Sequence, residues 1–246
     1  MTTASSTDLW VRRYHPAPTA PTRLVCFPHA GGSANFYFPF SAALDGVAEV
    51  AAVQYPGRQD RHTEKGIEDI ADLADQAYEA LRPCADRPLA FFGHSMGAVL
   101  AFEVARRFER DGQEPVRVFA SGRRAPCTHR PDSVHLRDDD GIIAEMRRLN
   151  GTEPRLLVDD ELLRMVLPAL RSDYTAIENY RAEPGATIAS PVTVLTGDAD
   201  PRTSLDEARA WKQHTTGDFD LRVFSGGHFY LTERAAEVIE VVRARL

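Results

Sequence analysis

The stretch Gly93-His94-Ser95-Met96-Gly97 holds a serine between two glycines, each two residues away. It follows the apolar run Leu89-Ala90-Phe91-Phe92 and opens a helical pattern from Met96 to Arg110. Strand, tight turn and helix is the setting in which a G-x-S-x-G serine acts as a nucleophile. The turn strains the serine backbone and leaves no room for side chains at the flanking glycines. The free N–H groups of the helix start then face the reacting centre. The chemistry this points to is attack on an acyl carbon, which requires a base for the serine proton. In this arrangement the order along the chain is serine, acid, histidine. Four histidines follow Ser95: His129, His135, His214 and His228. His228 is the candidate base, because Ser225-Gly226-Gly227-His228-Phe229 lies on the loop after the last strand-like run. His29 and His94 are read as tuning the loops around the serine rather than acting as bases.

The orienting acid is Asp198 or Asp200, in Thr196-Gly197-Asp198-Ala199-Asp200-Pro201. Asp200 is preferred, being further out along its loop and able to reach His228, which leaves Asp198 a turn role. The run after the nucleophile helix, Ser121-Gly122-Arg123-Arg124, has no carboxylate until Asp132. An acyl-transfer site also needs two backbone N–H donors for the developing oxyanion. Met96, directly after the serine, is one, and Ala30 in Pro28-His29-Ala30-Gly31-Gly32 is the candidate for the other. That glycine-rich loop lacks the spacing of nucleotide-binding loops.

These residues must be carried by strands alternating with helices. The strand candidates are 10–14, 23–27, 49–54, 89–92, 117–120, 192–196 and 221–224. Several are continuous apolar runs, as expected for strands covered on both faces. Helical periodicity marks 67–81, 96–110, 204–214 and 230–243. The alternation predicts an α/β fold with a mostly parallel sheet of about seven strands. It is interrupted from Cys127 to Pro184, where helices are expected over 138–149, 159–167 and 169–180, with Pro168 breaking the last two apart. An insertion of that size reads as a helical lid on a single domain.

The composition narrows the function. The 246 residues carry 36 acids and 29 bases, a formal charge of −7, so a general nucleic-acid binder is not expected. The insertion supplies −4 of that charge. Three widely spaced cysteines offer no disulfide framework or zinc spacing, and all three are expected to be reduced. Residues 1–8 are polar, without a signal-peptide core, and the apolar stretch 89–105 is interrupted by His94, Ser95 and Glu103. A cytoplasmic protein without a membrane span is the expectation.

The combination of segments resembles the free-standing type II thioesterases of polyketide and nonribosomal peptide synthesis, which have the α/β-hydrolase fold. The resemblance is carried by Phe27–Gly32, Tyr55-Pro56-Gly57-Arg58 with Arg61, Gly93–Gly97 and Leu170-Arg171-Ser172-Asp173-Tyr174. It continues through Gly197–Pro201, Trp211 with His214-Thr215, and Gly226–Phe229. The resemblance implies a serine hydrolase that clears aberrant or stalled acyl groups from the phosphopantetheine arm of carrier proteins. It also implies a triad of Ser95, Asp200 and His228 beneath a flexible lid. No metal or soluble cofactor is implied, since the phosphopantetheine belongs to the partner.

An acyl or peptidyl carrier protein is typically acidic, so a basic patch near the site is expected despite the net charge. Segment 116–130 holds Arg117, Arg123, Arg124 and Arg130 and no acid. Arg123 or Arg124, with Arg58, is the candidate receiver of the carrier or its phosphate. Competing readings are a general carboxylesterase, a cyclising thioesterase and a non-catalytic binding module of the same fold. The start at Met1, with no carrier domain, is expected to count against the cyclising reading, and the intact triad against the silent scaffold.

Overall fold

The computed structural model describes residues 6–149 and 160–246. A short helix α1 (Ser6–Trp10) leads into β1 (Val11–Arg12), which pairs antiparallel with its neighbour at one edge of the seven-stranded sheet. β2 (Thr22–Phe27) is followed by a 3-10 turn and α2 (Phe38–Ala43), then β3 (Ala48–Val53), α3 (Ile70–Leu81) and β4 (Leu89–His94). α4 (Met96–Arg110) and β5 (Arg117–Ser121) come next. The insertion contributes α5 (Asp139–Leu149) and α6 (Asp160–Asn179). The chain then returns to β6 (Val192–Gly197), α7 (Leu205–Arg209), β7 (Phe219–Phe224), α8 (Tyr230–Glu233) and α9 (Ala235–Arg243). The strand order is β1-β3-β2-β4-β5-β6-β7.

Side chains alternate across the parallel strands and feed two cores. Val25, Phe27 and Phe91 join the face covered by α3, α4 and α6. Leu24, Cys26 and Phe92 join the opposite face, under α2 and α9. Strands buried on both faces show as continuous apolar runs, which is why they were legible without alternation. The register pairs Phe27 with Gly93, His94 with Ser121 and Gly197 with Phe224. The carboxyl ends of β2, β4, β5, β6 and β7 therefore share one edge of the sheet, where sites form in open α/β sheets.

Three expectations need correction. α6 runs through Pro168 without interruption. Proline costs a helix one hydrogen bond and a clash, but here Leu163, Leu167, Leu170, Tyr174 and Ile177 bury one continuous face across it. Tertiary packing outweighs the local penalty. The start of the expected 159–167 helix lies outside the described residues. The segment between β2 and β3, where the sequence marks no helix, carries the 3-10 turn Ala34–Tyr37 and α2, whose Tyr37 and Phe40 are buried. The expected 67–81 helix begins only at Ile70, because Asp69 caps it by accepting from Ala71 N and Asp72 N at 2.7 and 3.0 Å.

Cys26, Cys84 and Cys127 are free thiols. Among the described residues no helix is long and apolar enough to cross a membrane.

Candidate active site

Ser95 sits between β4 and α4 with φ 55° and ψ −117°, a conformation that a non-glycine residue holds only when its surroundings over-determine it. They do. A Cβ on Gly93 would overlap the Gly97 carbonyl, and one on Gly97 would overlap the carbonyl of Phe27 on β2. The two glycines let the turn close and let α4 approach the sheet. Ser95 N donates to Ser121 O at 2.8 Å, tying the turn to the end of β5.

His228 follows β7. Its Nε2 lies 3.1 Å from Ser95 Oγ. Its Nδ1 lies 3.0 and 2.9 Å from the two carboxylate oxygens of Asp200. A carboxylate can only accept, so Nδ1 carries the proton and Nε2 faces the serine hydroxyl as an acceptor. The side chains of His228 and Asp200 are 3% and 0% exposed, so this orientation is not contested by solvent. Asp200 Oδ1 also accepts from Arg202 N at 2.7 Å, which fixes the carboxylate plane. Asp198 is not part of this chain. Its Oδ1 accepts from Gly226 N at 3.0 Å, and Asp198 N donates to Phe224 O, so it ties the β6 loop to the loop that carries His228. The tie is close, because a Cβ on Gly197 would overlap the carbonyls of Gly226 and Gly227.

The other late histidines are engaged elsewhere. His214 Nδ1 bonds Ala186 O, and its Nε2 accepts from Cys127 N. His135 pairs with Glu178, and His129 contacts Arg181. His94 lies under the site with its ring 5.0 Å from that of His228. It bonds Ser121 Oγ at 2.9 Å, which in turn contacts Tyr230 OH at 2.6 Å. Burial pushes His94 well below the usual histidine range, and it pushes His29 down to about 3. Both stay neutral at physiological pH and cannot store the proton of Ser95.

Met96 opens α4, so its N–H has no intrahelical acceptor. Ala30 lines the same cavity, and among the described residues its N–H has no hydrogen-bond acceptor. The cavity holds about 40 Å³ and is walled by Ser95, His228, Arg123, Leu149, Tyr174 and Ile177 among others. A second space of about 280 Å³ shares Leu149, His228 and Phe229 with it.

The three arginines expected to receive a partner are placed differently. Arg58 is 7% exposed and clamps Asp173 of α6 through two 2.8 Å bonds. Arg124 is buried and paired with Asp132. Neither presents its charge outward, since a buried guanidinium is held by an internal partner. Arg123 lines the cavity beside Ser95, and burial together with neighbouring Arg124 pushes it down to about 9.

Asp173 and Glu145 are among the engaged acids missed as site residues. Asp173 shares the apolar face of α6 with Leu170 and Ile177, and a lone acid in such a stripe signals a buried partner. Glu145 of α5 pairs with Arg202, Arg148 and Arg137. Nothing in the charge pattern of the insertion separates Glu145 from its exposed neighbours.

A serine, histidine and aspartate joined by hydrogen bonds at the carboxyl edge of such a sheet define the α/β-hydrolase class. The family of thioesterase domains matches residues 22–246. A probable cadicidin biosynthesis thioesterase of Streptomyces griseus is 58% identical over 95% of the chain, which spans 65% of that protein. Thioesterase PikA5 of Streptomyces venezuelae is 52% identical over 94% of the chain and 83% of its own length. Among solved structures, the type II thioesterase BorB from the borrelidin biosynthetic cluster superimposes with a TM-score of 0.92 at 50% identity, covering 97% of this chain and 98% of that one. The chain belongs to the thioesterase family.

Proposed function

We propose that this protein is a serine thioesterase that hydrolyses acyl groups from the phosphopantetheine arm of carrier proteins, removing aberrant or stalled units from a polyketide or nonribosomal peptide synthase. The observation that carries the reading is the Ser95–His228–Asp200 hydrogen-bond chain beside two free backbone donors, in a chain similar along its length to type II thioesterases.

His228 Nε2 takes the hydroxyl proton as Ser95 Oγ adds to the thioester carbonyl. The N–H groups of Met96 and Ala30 hold the resulting oxyanion. The pantetheine thiol leaves with the proton from His228, giving an acyl-serine. Water, deprotonated by the same nitrogen, adds to the acyl carbon and releases the carboxylic acid and free Ser95 Oγ. Asp200 stabilises the imidazolium in both steps. The sequence needs no metal or soluble cofactor.

In this reading the chain is one domain, with residues 127–184 forming a lid that encloses the acyl group. Arg123 belongs to the acyl end. A pantetheine arm spans roughly 15–20 Å from sulfur to phosphorus by covalent geometry, so a residue walling the Ser95 cavity does not reach the phosphate. Phosphate recognition then falls to residues further out than the three arginines named from the sequence.

The test is mass spectrometry of an acylated carrier protein incubated with enzyme. Loss of the acyl mass with wild type but not with Ser95→Ala supports the reading, and equal loss in both overturns it. Comparable turnover of a simple oxygen ester without any carrier would favour a general carboxylesterase.

A further inference from the structure

The segments Tyr55–Arg58 and Leu170–Tyr174 take no part in the chemistry above, yet both converge on the loop that carries Ala30. Tyr55 OH donates to Pro28 O at 3.1 Å. Arg58 Nη1 donates to Gly32 O at 3.1 Å and to Asp173 Oδ2 at 2.8 Å, while its Nη2 donates to Asp173 Oδ1 at 2.8 Å. Asp173 Oδ2 also accepts from Gly31 N at 2.7 Å. The loop itself adds Gly32 N to His29 O at 2.9 Å. The two peptide planes that meet at the Ala30 Cα are thus both pinned. The His29–Ala30 plane, whose N–H is the candidate oxyanion donor, is held through its carbonyl by Gly32. The Ala30–Gly31 plane is held through its N–H by a carboxylate on α6.

We propose that Asp173, locked by Arg58, is a positioning residue that aims the Ala30 N–H into the oxyanion site and makes helix α6 part of the catalytic frame. The inference rests on the serine-hydrolase reading. The pair is costly to bury: Asp173 is 1% and Arg58 7% exposed. A buried ion pair is weak support for stability, since apolar residues of similar shape do as well or better. What apolar residues cannot supply is a charged acceptor for Gly31 N and a fork that grips the loop carbonyl at the same time. Gly31 also needs its glycine here: its φ is 74°, and a Cβ would lie 2.6 Å from Leu170 Cδ1 of the same helix. Leu170 and Asp173, three residues apart on α6, press and hold the loop from one side.

The experiment compares Asp173→Asn, Arg58→Met and the double variant with wild type. A trifluoromethyl ketone that adds to Ser95 and leaves an oxyanion in the same site reports donor placement, alongside kcat and KM on an acyl carrier and the melting temperature. Displacing an oxyanion donor lowers rates by ~10²-fold. Asp173→Asn is expected to weaken ketone affinity and kcat together by about that factor with KM little changed. The double variant is expected to be no worse than the poorer single one, as for groups acting as a unit. A folded Asp173→Asn enzyme with wild-type ketone affinity, or one whose loss lies in KM or melting temperature alone, overturns the proposal. If that variant does not fold, Arg58→Lys keeps the cation without the fork and is expected to lose ~10-fold in the same two readouts; unchanged values overturn the proposal equally. Failure of wild type to form the ketone adduct would refute the hydrolase reading instead.

Discussion

Asp200→Asn gives the sharpest test of how His228 is held. Asp200 Oδ1 accepts two bonds, from Arg202 N at 2.7 Å and His228 Nδ1 at 3.0 Å, and Oδ2 accepts from His228 Nδ1 at 2.9 Å. An asparagine has one acceptor and one donor group for these places. If its NH2 takes the Oδ1 position it opposes the Arg202 N–H, leaving two buried donors face to face at a cost of about 1–3 kcal/mol. The amide oxygen therefore keeps that place, and the NH2 group meets His228 Nδ1. The imidazole then favours the tautomer with its proton on Nε2, where it can no longer accept from Ser95. The wrong tautomer in a serine triad lowers kcat by ~10⁴-fold, about 5.5 kcal/mol of transition-state stabilisation. The measurement is acyl release from a carrier, normalised by labelling Ser95 with a fluorophosphonate, and the melting temperature is expected to stay within a few degrees. Asp198→Asn is the control. Its amide oxygen can still accept from Gly226 N, so activity is expected within a few fold of wild type. A loss below tenfold in Asp200→Asn, or a larger loss in Asp198→Asn, would refute the assignment.

Other outcomes follow from the same geometry. Gly97→Ala places a methyl into the Phe27 carbonyl, and strain at such a site costs more than about 4 kcal/mol; a soluble variant with wild-type melting temperature would contradict this account of the turn. Pro168→Ala restores a helical N–H at an exposed position of α6 and is expected to stabilise by about 1–2 kcal/mol after the loss of proline's unfolded-state restraint, read as a melting temperature several degrees higher. Burial pushes the Glu145 carboxyl up, but the Arg148 and Arg202 side chains outweigh it and hold it below its usual range. A carboxylate held low when folded stabilises above its unfolded pKa and loses that contribution as pH falls through the folded value. The protection of α5 amides, taken relative to the intrinsic exchange rate at each pH, should therefore fall below about pH 4 and not in alkali, and Glu145→Gln should flatten the dependence. The same acid response in Glu145→Gln would exclude this pair as its source.

The legible parts of the fold are those dictated by local physics. Phe27, Phe91 and Phe119 stand in short apolar runs because both sheet faces are covered, and the Ser95 turn announces itself through glycines that no other residue can replace. Partner choice is not local. The charges of Arg58 and Arg124 looked available because the carboxylates that quench them, Asp173 and Asp132, come 115 and 8 residues later in the chain. Arg58 meets its acid only once α6 lies across the loop after β2. The same distance hid the continuity of α6, where proline chemistry spoke for a break and the buried stripe on either side of Pro168 decided otherwise.

The placement of those acids divides the insertion into two unequal parts. α6 is fastened to the hydrolase core at Asp173 and to its own insertion at Glu178, which accepts from Val134 N and His135 N at 3.0 Å each. Moving it would strip a buried guanidinium of its partner, worth about 3–5 kcal/mol, and disturb the oxyanion loop at the moment it is needed. α5 is held otherwise. Glu145 is its buried charged anchor, paired to Arg202 two residues after Asp200 and to Arg148 and Arg137, whose side chains are 49% and 45% exposed. Arg148 lies on α5 and Arg137 just before it, so both stay with Glu145 when α5 moves, and Arg202 keeps Asp132 at 3.3 Å; parting Glu145 from Arg202 leaves neither charge without a partner. Leu149 walls both the cavity of about 40 Å³ at Ser95 and the space of about 280 Å³ beside His228, and displacing α5 with it is the cheaper way to widen them. On the proposed function, enclosure of the acyl group then falls to α5 and placement of the oxyanion donor to α6, so that the chamber can open without unsettling that donor.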